Sequence, residues 1–242
     1  MKRLIHRPMR RRALLGGAAG ATLLGCESGS GDVPLPISGT GQDFDETCAL
    51  NDSDVPAGLS PGNRLDNFSF DGYLNPDRTG IGVRSRVELS LCSFLNETGE
   101  EVWDEGFPYP AGSPKPLALF INFAAVWCQP CRFEAAEILP EEYDIFQPRG
   151  MELLSILADS AAVGEPATFD DLDDWVSTYT VRYAAVIDPT RALSNQLNNN
   201  QFPSNLLIDT RDLTVITNLA GVPEPSFFDP LEQLLLPPSA PG

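Results

Sequence analysis

Two cysteines separated by two residues, Cys128 and Cys131, stand between an apolar run and a helix-forming run. This junction restricts the fold more than any other feature of the chain. Residues 117–123 (Leu-Ala-Leu-Phe-Ile-Asn-Phe) read as a buried strand, and residues 132–139 read as a helix. The first thiol therefore falls at a helix N-terminus, where the partial positive charge favours thiolate and lowers its pKa. The same spacing also serves zinc sites. Trp127 before the pair, Pro130 within it and the preceding strand point instead to a dithiol that closes and reopens.

The chain has 242 residues, 42% hydrophobic and 21% charged. That is enough for one domain with appendages or for two small ones, with a sizeable core. Its formal net charge of -18 argues against nucleic acid as a partner, because phosphates are met with Lys and Arg. The charge is uneven. Residues 1–25 hold six basic residues and no acid, which leaves 10 basic against 34 acidic residues in the remainder. The one histidine, His6, lies in that same segment. The rest of the chain thus offers no Ser–His or Cys–His dyad and no histidine-bearing zinc or copper site. Thiol chemistry needs no imidazole, and no cofactor or metal is expected.

Residues 1–25 follow a secretory pattern: a basic start, an apolar middle at 13–24 and a small residue. Leu23-Leu24-Gly25-Cys26 resembles a bacterial lipobox, which implies cleavage before Cys26 and a lipid on its sulfur. Arg11-Arg12 followed by Ala13-Leu14-Leu15 resembles a twin-arginine export signal. Residues 26–44, rich in Ser, Gly and Pro, read as a flexible tether. The expectation is a folded part at 45–242, outside the cytoplasm and lipid-anchored to a bacterial membrane on its periplasmic side.

Along that part, residues 65–73 and 87–92 alternate as half-buried strands do, and 151–158 is an apolar strand buried on both faces. Residues 168–179 repeat apolar positions at helical spacing behind Thr168 as N-cap, with Asp170 and Asp171 in the first turn. A short strand is expected at 183–187 and a short helix at 191–197. A hairpin is expected from 205–208 and 213–217, and a last helix at 227–236. The order gives an α/β fold, a mixed sheet with helices on both faces.

Together with Trp127-Cys128-Gln129-Pro130-Cys131 and the later Phe202-Pro203-Ser204, this order resembles the thioredoxin fold. More closely, it resembles the membrane-tethered, extracytoplasmic thiol–disulfide oxidoreductases of the TlpA/ResA type, over about residues 65–236. The resemblance implies a thioredoxin-like core with an N-terminal β extension. Cys128 would be the nucleophile, at an exposed helix start, and Cys131 the resolving thiol. Glu134 would modulate thiol protonation, since the position where thioredoxins carry a buried Asp is Asn122 here. Pro203 would be the cis-proline facing the pair and guiding a substrate strand. Phe202 before it is bulkier than the family's usual residue. Trp127 would pack beside the thiols.

Gln129 and Pro130 carry no charge, so thiolate stabilisation rests on the helix terminus, and the resemblance points to a reductant. The implied partners are disulfide-bearing exported proteins and a membrane or periplasmic thiol donor. Two cysteines remain, Cys48 and Cys92. In an oxidising compartment they can form a structural bridge worth about 3–4 kcal/mol, or a second redox pair. Two other functions stay open: a thiol peroxidase, and a non-catalytic metallochaperone or binding lipoprotein.

Overall fold

The apolar runs become the inner strands of one sheet. The computed structural model describes residues 55–74, 86–105, 107, 109–197 and 201–235. The signal segment 1–25, the tether 26–44, Cys26 and Cys48 lie outside the described residues. The strands are β1 (Ser69–Tyr73), β2 (Arg86–Ser90), β3 (Ala118–Ala125), β4 (Met151–Asp159), β5 (Ala184–Ile187), β6 (Ser204–Asp209) and β7 (Thr214–Ala220). They form a single mixed sheet in the order β2-β1-β5-β4-β3-β6-β7. β3, β4 and β5 run parallel. β6 and β7 continue antiparallel on one side, and β1 and β2 on the other. The N-terminal extension is therefore two strands added to the β5 edge of a thioredoxin-like sheet.

β3 and β4 are buried along their whole length, as expected of parallel strands covered on both faces. Alternation divides their side chains between two cores. Phe120, Ala124, Leu153, Leu157 and Leu207 meet the helices on one face. Leu119, Ile121, Phe123, Leu154, Ile156 and Leu206 face the other.

The helical crossovers explain this asymmetry. The first follows β3 as α1 (Gln129–Phe133), a wider π turn (Glu134–Ile138) and α2 (Leu139–Phe146). The second is α3 (Phe169–Tyr179), which lies between β4 and β5. Both crossovers step across the sheet in one direction, so right-handedness puts them on the same face, with α4 (Leu231–Leu234) beside them. Among the described residues, the opposite face is covered by 3-10 turns at Leu91–Phe94 and Ser194–Gln196 and by Leu59, Leu65 and Trp103, not by a long helix.

Three elements differ from the sequence expectation for local reasons. The helix after the cysteines continues past Pro140 to Phe146. Pro140 has no N–H to give a normal helical bond. The preceding turn widens, with Leu139 N donating to Glu134 O. Residues 191–197 form a tight turn because the Asp188 carboxylate accepts the backbone N–H groups of Ala192, Leu193 and Ser194 and the Ser194 hydroxyl. Cys92 lies in a 3-10 turn instead of a strand, and it is disulfide-bonded. The α3 start follows the sequence: Thr168 and Asp171 form a reciprocal capping box.

Gly72 sets how closely the extension approaches. A Cβ there would lie 2.3 Å from the Ala185 carbonyl oxygen and 2.5 Å from Val186 Cα. Gly72→Ala must therefore push β1 away from β5, and a loss of about 1–3 kcal/mol is expected. Urea denaturation checks it, and unchanged stability would refute the close approach.

Candidate active site

β3 ends at Ala125, and the chain turns through Val126 and Trp127 into α1. Cys128 is the N-cap of α1, and its Sγ accepts the backbone N–H of Cys131 at 3.1 Å. The two sulfurs are joined in a disulfide with a Cα–Cα distance of 5.3 Å. Arg132 closes the turn from outside by donating from Nε and Nη2 to the Val126 carbonyl. The N-cap position places the sulfur among amides that have no helical partner. One expectation is corrected here. Cys128 is not at an exposed position, because the residue is only 2% accessible and packs in the helical-face core with Trp127 and Phe202 against it.

On the helical face of the sheet, the face that also buries the pair, runs a row of polar residues that register alone creates. Asn122 on β3 is opposite Ser155 on β4 and Asn205 on β6. All three occupy the face that meets α1 and α2. The Glu134 carboxyl descends onto this row from the helix, in the π turn just after α1. Its Oε2 accepts from Asn122 Nδ2 at 2.9 Å, and its Oε1 accepts from Asn205 Nδ2 at 2.8 Å. Asn122 also donates to Asn205 Oδ1 and accepts from the Ser155 hydroxyl.

Glu134 is 1% exposed, so it is no solvated helix carboxylate. Burial pushes its pKa from about 4.5 up to about 8, against the lowering effect of the Asn205 and Asn122 amides. Tyr183 faces the same carboxyl. Its own pKa is raised, first by burial and then by the Glu134 charge.

Trp127 is held from the other side. Its Nε1 donates to Asp159 Oδ2 at 3.2 Å, and its ring meets Phe202 edge-on at 5.9 Å. Asp159 also accepts the Gly164 N–H and is ion-paired at 2.7 Å with Arg191, a nearly buried side chain with a left-handed backbone (φ 56°). The Phe202–Pro203 peptide is cis. Pairing of Phe123 with Ser204 puts Pro203 beside the C-terminal end of β3, where the cysteine turn begins.

Sequence reasoning missed Asn205, Asp159 and Arg191. A polar residue inside an apolar strand, and an acid at the C-terminal end of a parallel strand, were the available signals. Among the described residues, no group of three His, Cys, Asp or Glu side chains could hold a metal ion.

Two outcomes follow. Because the native Glu134 pKa is above the unfolded value, the native state holds the extra proton between about pH 4.5 and 8. Stability should fall as pH rises through that window, by up to about 1.4 kcal/mol per pH unit, and Glu134→Gln should flatten the fall in urea titrations. Equal slopes in both proteins would refute it. Arg191→Met strands the buried Asp159 carboxylate, and a cost of about 3–5 kcal/mol is expected from the same titrations at fixed pH.

Comparison with known proteins extends this geometry. A family model described as the AhpC/TSA family matches residues 109–225. The thiol-disulfide oxidoreductase ResA of Geobacillus thermodenitrificans (strain NG80-2) is 30% identical over 133 residues, which are 55% of this chain and 67% of that protein. ResA of Bacillus subtilis (strain 168) is 22% identical over 95 residues, 39% of this chain and 49% of that protein. The match thus spans two thirds of the first relative and about half of the second. Among solved structures, the thioredoxin domain of a Bacteroides vulgatus thiol-disulfide oxidoreductase covers 73% of this chain and 98% of its own, with 16% identity and a TM-score of 0.45. Enterococcus faecalis AhpC covers 73% and 92%, with 14% identity and a TM-score of 0.49. The chain belongs to the thioredoxin-like thiol–disulfide oxidoreductases of the ResA type.

Proposed function

We propose that this protein reduces disulfides in exported proteins through the Cys128/Cys131 dithiol, while lipid-anchored through Cys26 to a bacterial membrane on its periplasmic side. The observation that carries the reading is the Cys128–Cys131 disulfide at a helix N-terminus, with cis-Pro203 beside the turn. In the reduced protein the Cys128 thiolate attacks one sulfur of a substrate disulfide. A mixed disulfide forms, and the first substrate thiolate leaves and takes up a proton. Cys131 thiolate then attacks Cys128 Sγ and releases the second. The substrate gains two electrons, and the pair is left oxidised until an external dithiol donor returns it to the reduced form.

Each neighbouring residue has a part in this scheme. Pro203 lacks an N–H that would compete beside the thiolate, and its loop presents backbone to an extended substrate strand. Glu134, protonated near neutral pH because its pKa is about 8, is the group that exchanges a proton with the pair. Trp127, with Phe202, lines one flank. The export signal and lipidation rest on the sequence of residues 1–26, and Cys48 is proposed as the partner of the disulfide-bonded Cys92. No helix among the described residues is long and apolar enough to cross a membrane.

Insulin reduction by residues 45–242 in the presence of a dithiol donor tests the activity. Cys128→Ser should lower turnover by about a thousandfold or more, and Cys131→Ser should accumulate the mixed disulfide. Full activity in Cys128→Ser would overturn the nucleophile. Hydrogen peroxide consumption at enzymatic rates, without disulfide reduction, would replace the reading with a peroxidase.

A further inference from the structure

Asn205 is fully buried on β6, two residues beyond Pro203. Its side-chain nitrogen has two N–H groups, and they point to different places. One reaches the Glu134 Oε1 at 2.8 Å, and the other reaches the Gly221 carbonyl at 3.0 Å. Gly221 in turn donates its own N–H to the Pro203 carbonyl at 2.8 Å. The Asn205 oxygen accepts from Asn122, so both N–H groups and the oxygen of the amide are bonded. Hydrogen bonds joined through the Gly221 backbone therefore connect the Glu134 carboxyl to the loop that bears the cis-proline.

The chemistry of the amide explains why this residue type suits the path. A Thr or Ser has a single O–H and can reach one end only. An Asp has no donor and would set a second carboxylate against Glu134. Asn alone among residues of this size offers two N–H donors on one atom and an acceptor beside them. Any change in the proton carried by Glu134 alters what Oε1 can accept. Asn205 must answer that change while still bonded to the Gly221 carbonyl.

We propose that Asn205 is a positioning residue that couples the Glu134 carboxyl to the Pro203 loop. One side chain thereby sets both the placement of the proton on the Glu134 carboxyl and the presentation of the docking strand. The consequence for catalysis rests on the proposed disulfide reduction; the coupling itself does not.

The test uses the protein without its signal segment, in the wild type, Asn205→Ala, Asn205→Thr, Glu134→Gln and the double variant Asn205→Ala/Glu134→Gln. Two readouts need no substrate. The first is the pH midpoint of Cys128 alkylation by iodoacetamide in the reduced protein. It should move by about half a unit or more in Asn205→Ala, and Asn205→Ala should move it no further in the Glu134→Gln background. The second is hydrogen exchange at the Gly221 amide, which should quicken about tenfold in Asn205→Ala. Asn205→Thr, which keeps a β-compatible shape and one donor, should show one of the two effects and not both.

An unmoved midpoint, an equal shift in the Glu134→Gln background, or unchanged Gly221 exchange would overturn the coupling. Should Asn205→Ala fail to fold, Asn205→Thr decides: normal midpoint and normal exchange together would overturn it. Turnover of insulin is measured alongside. Its absence in the wild type would overturn the proposed function and leave the coupling to be judged by the two substrate-free readouts.

Discussion

The site depends on one buried amide. β3 is apolar except at Asn122, and that side chain is closed off from water at the centre of the sheet. An unsatisfied polar group in such a position costs on the order of 1–3 kcal/mol. Satisfying it dictates the neighbours: Ser155 and Asn205 at the same register on the flanking strands, and a carboxyl from the helix above. Glu134 reaches down from the start of the wider π turn, and that turn leads into α2, where Pro140 withholds its N–H. The cysteines occupy the turn between these parts. Sheet register, helix irregularity and sulfur chemistry are thus fixed by one another.

The asymmetry of the sheet has a similar origin. Two right-handed crossovers in the same direction put both of their helices on one face, and among the described residues the other face carries no long helix. That face is not small: Leu119, Ile121, Phe123, Leu154, Ile156 and Leu206 all point to it. Short turns and aromatic side chains from the N-terminal part cover it, with Phe94, Trp103 and Tyr109 packed ring against ring. The two added strands extend the sheet beneath this cover. The extension is therefore part of the core and not an ornament on its edge, and the bonded Cys92 sits within this cover.

Much of this was legible in the sequence, and the boundary of legibility is physical. The dithiol, its strand and helix, the doubly buried β4, the Thr168 cap and the proline of the Phe202-Pro203 turn all announce themselves through patterns spanning a few residues. The helix end was misplaced because proline ordinarily stops a helix, and a π turn is invisible to periodicity. The short turn at 191–197 read as a helix because its apolar spacing is helical, while the Asp188 carboxylate that tightens it makes contacts no spacing rule describes. Asn205 and Asp159 escaped for a deeper reason. Their meaning lies in which strands become neighbours and in what register, and a single chain does not display that. Glu134 was legible by resemblance, but its burial was not.

The cover over Cys128 gives the pair a form of insulation. A disulfide open to solvent exchanges electrons with any small thiol that diffuses past it. Here the pair is buried in the helical-face core, and Trp127 packs against that core, bonded to Asp159 and met by the Phe202 ring. In the proposed reduction, burial would favour partners that open the core around the sulfurs over small thiols, before any difference in reduction potential is felt. A cell compartment crowded with unrelated thiols could hold such a pair without short-circuiting it.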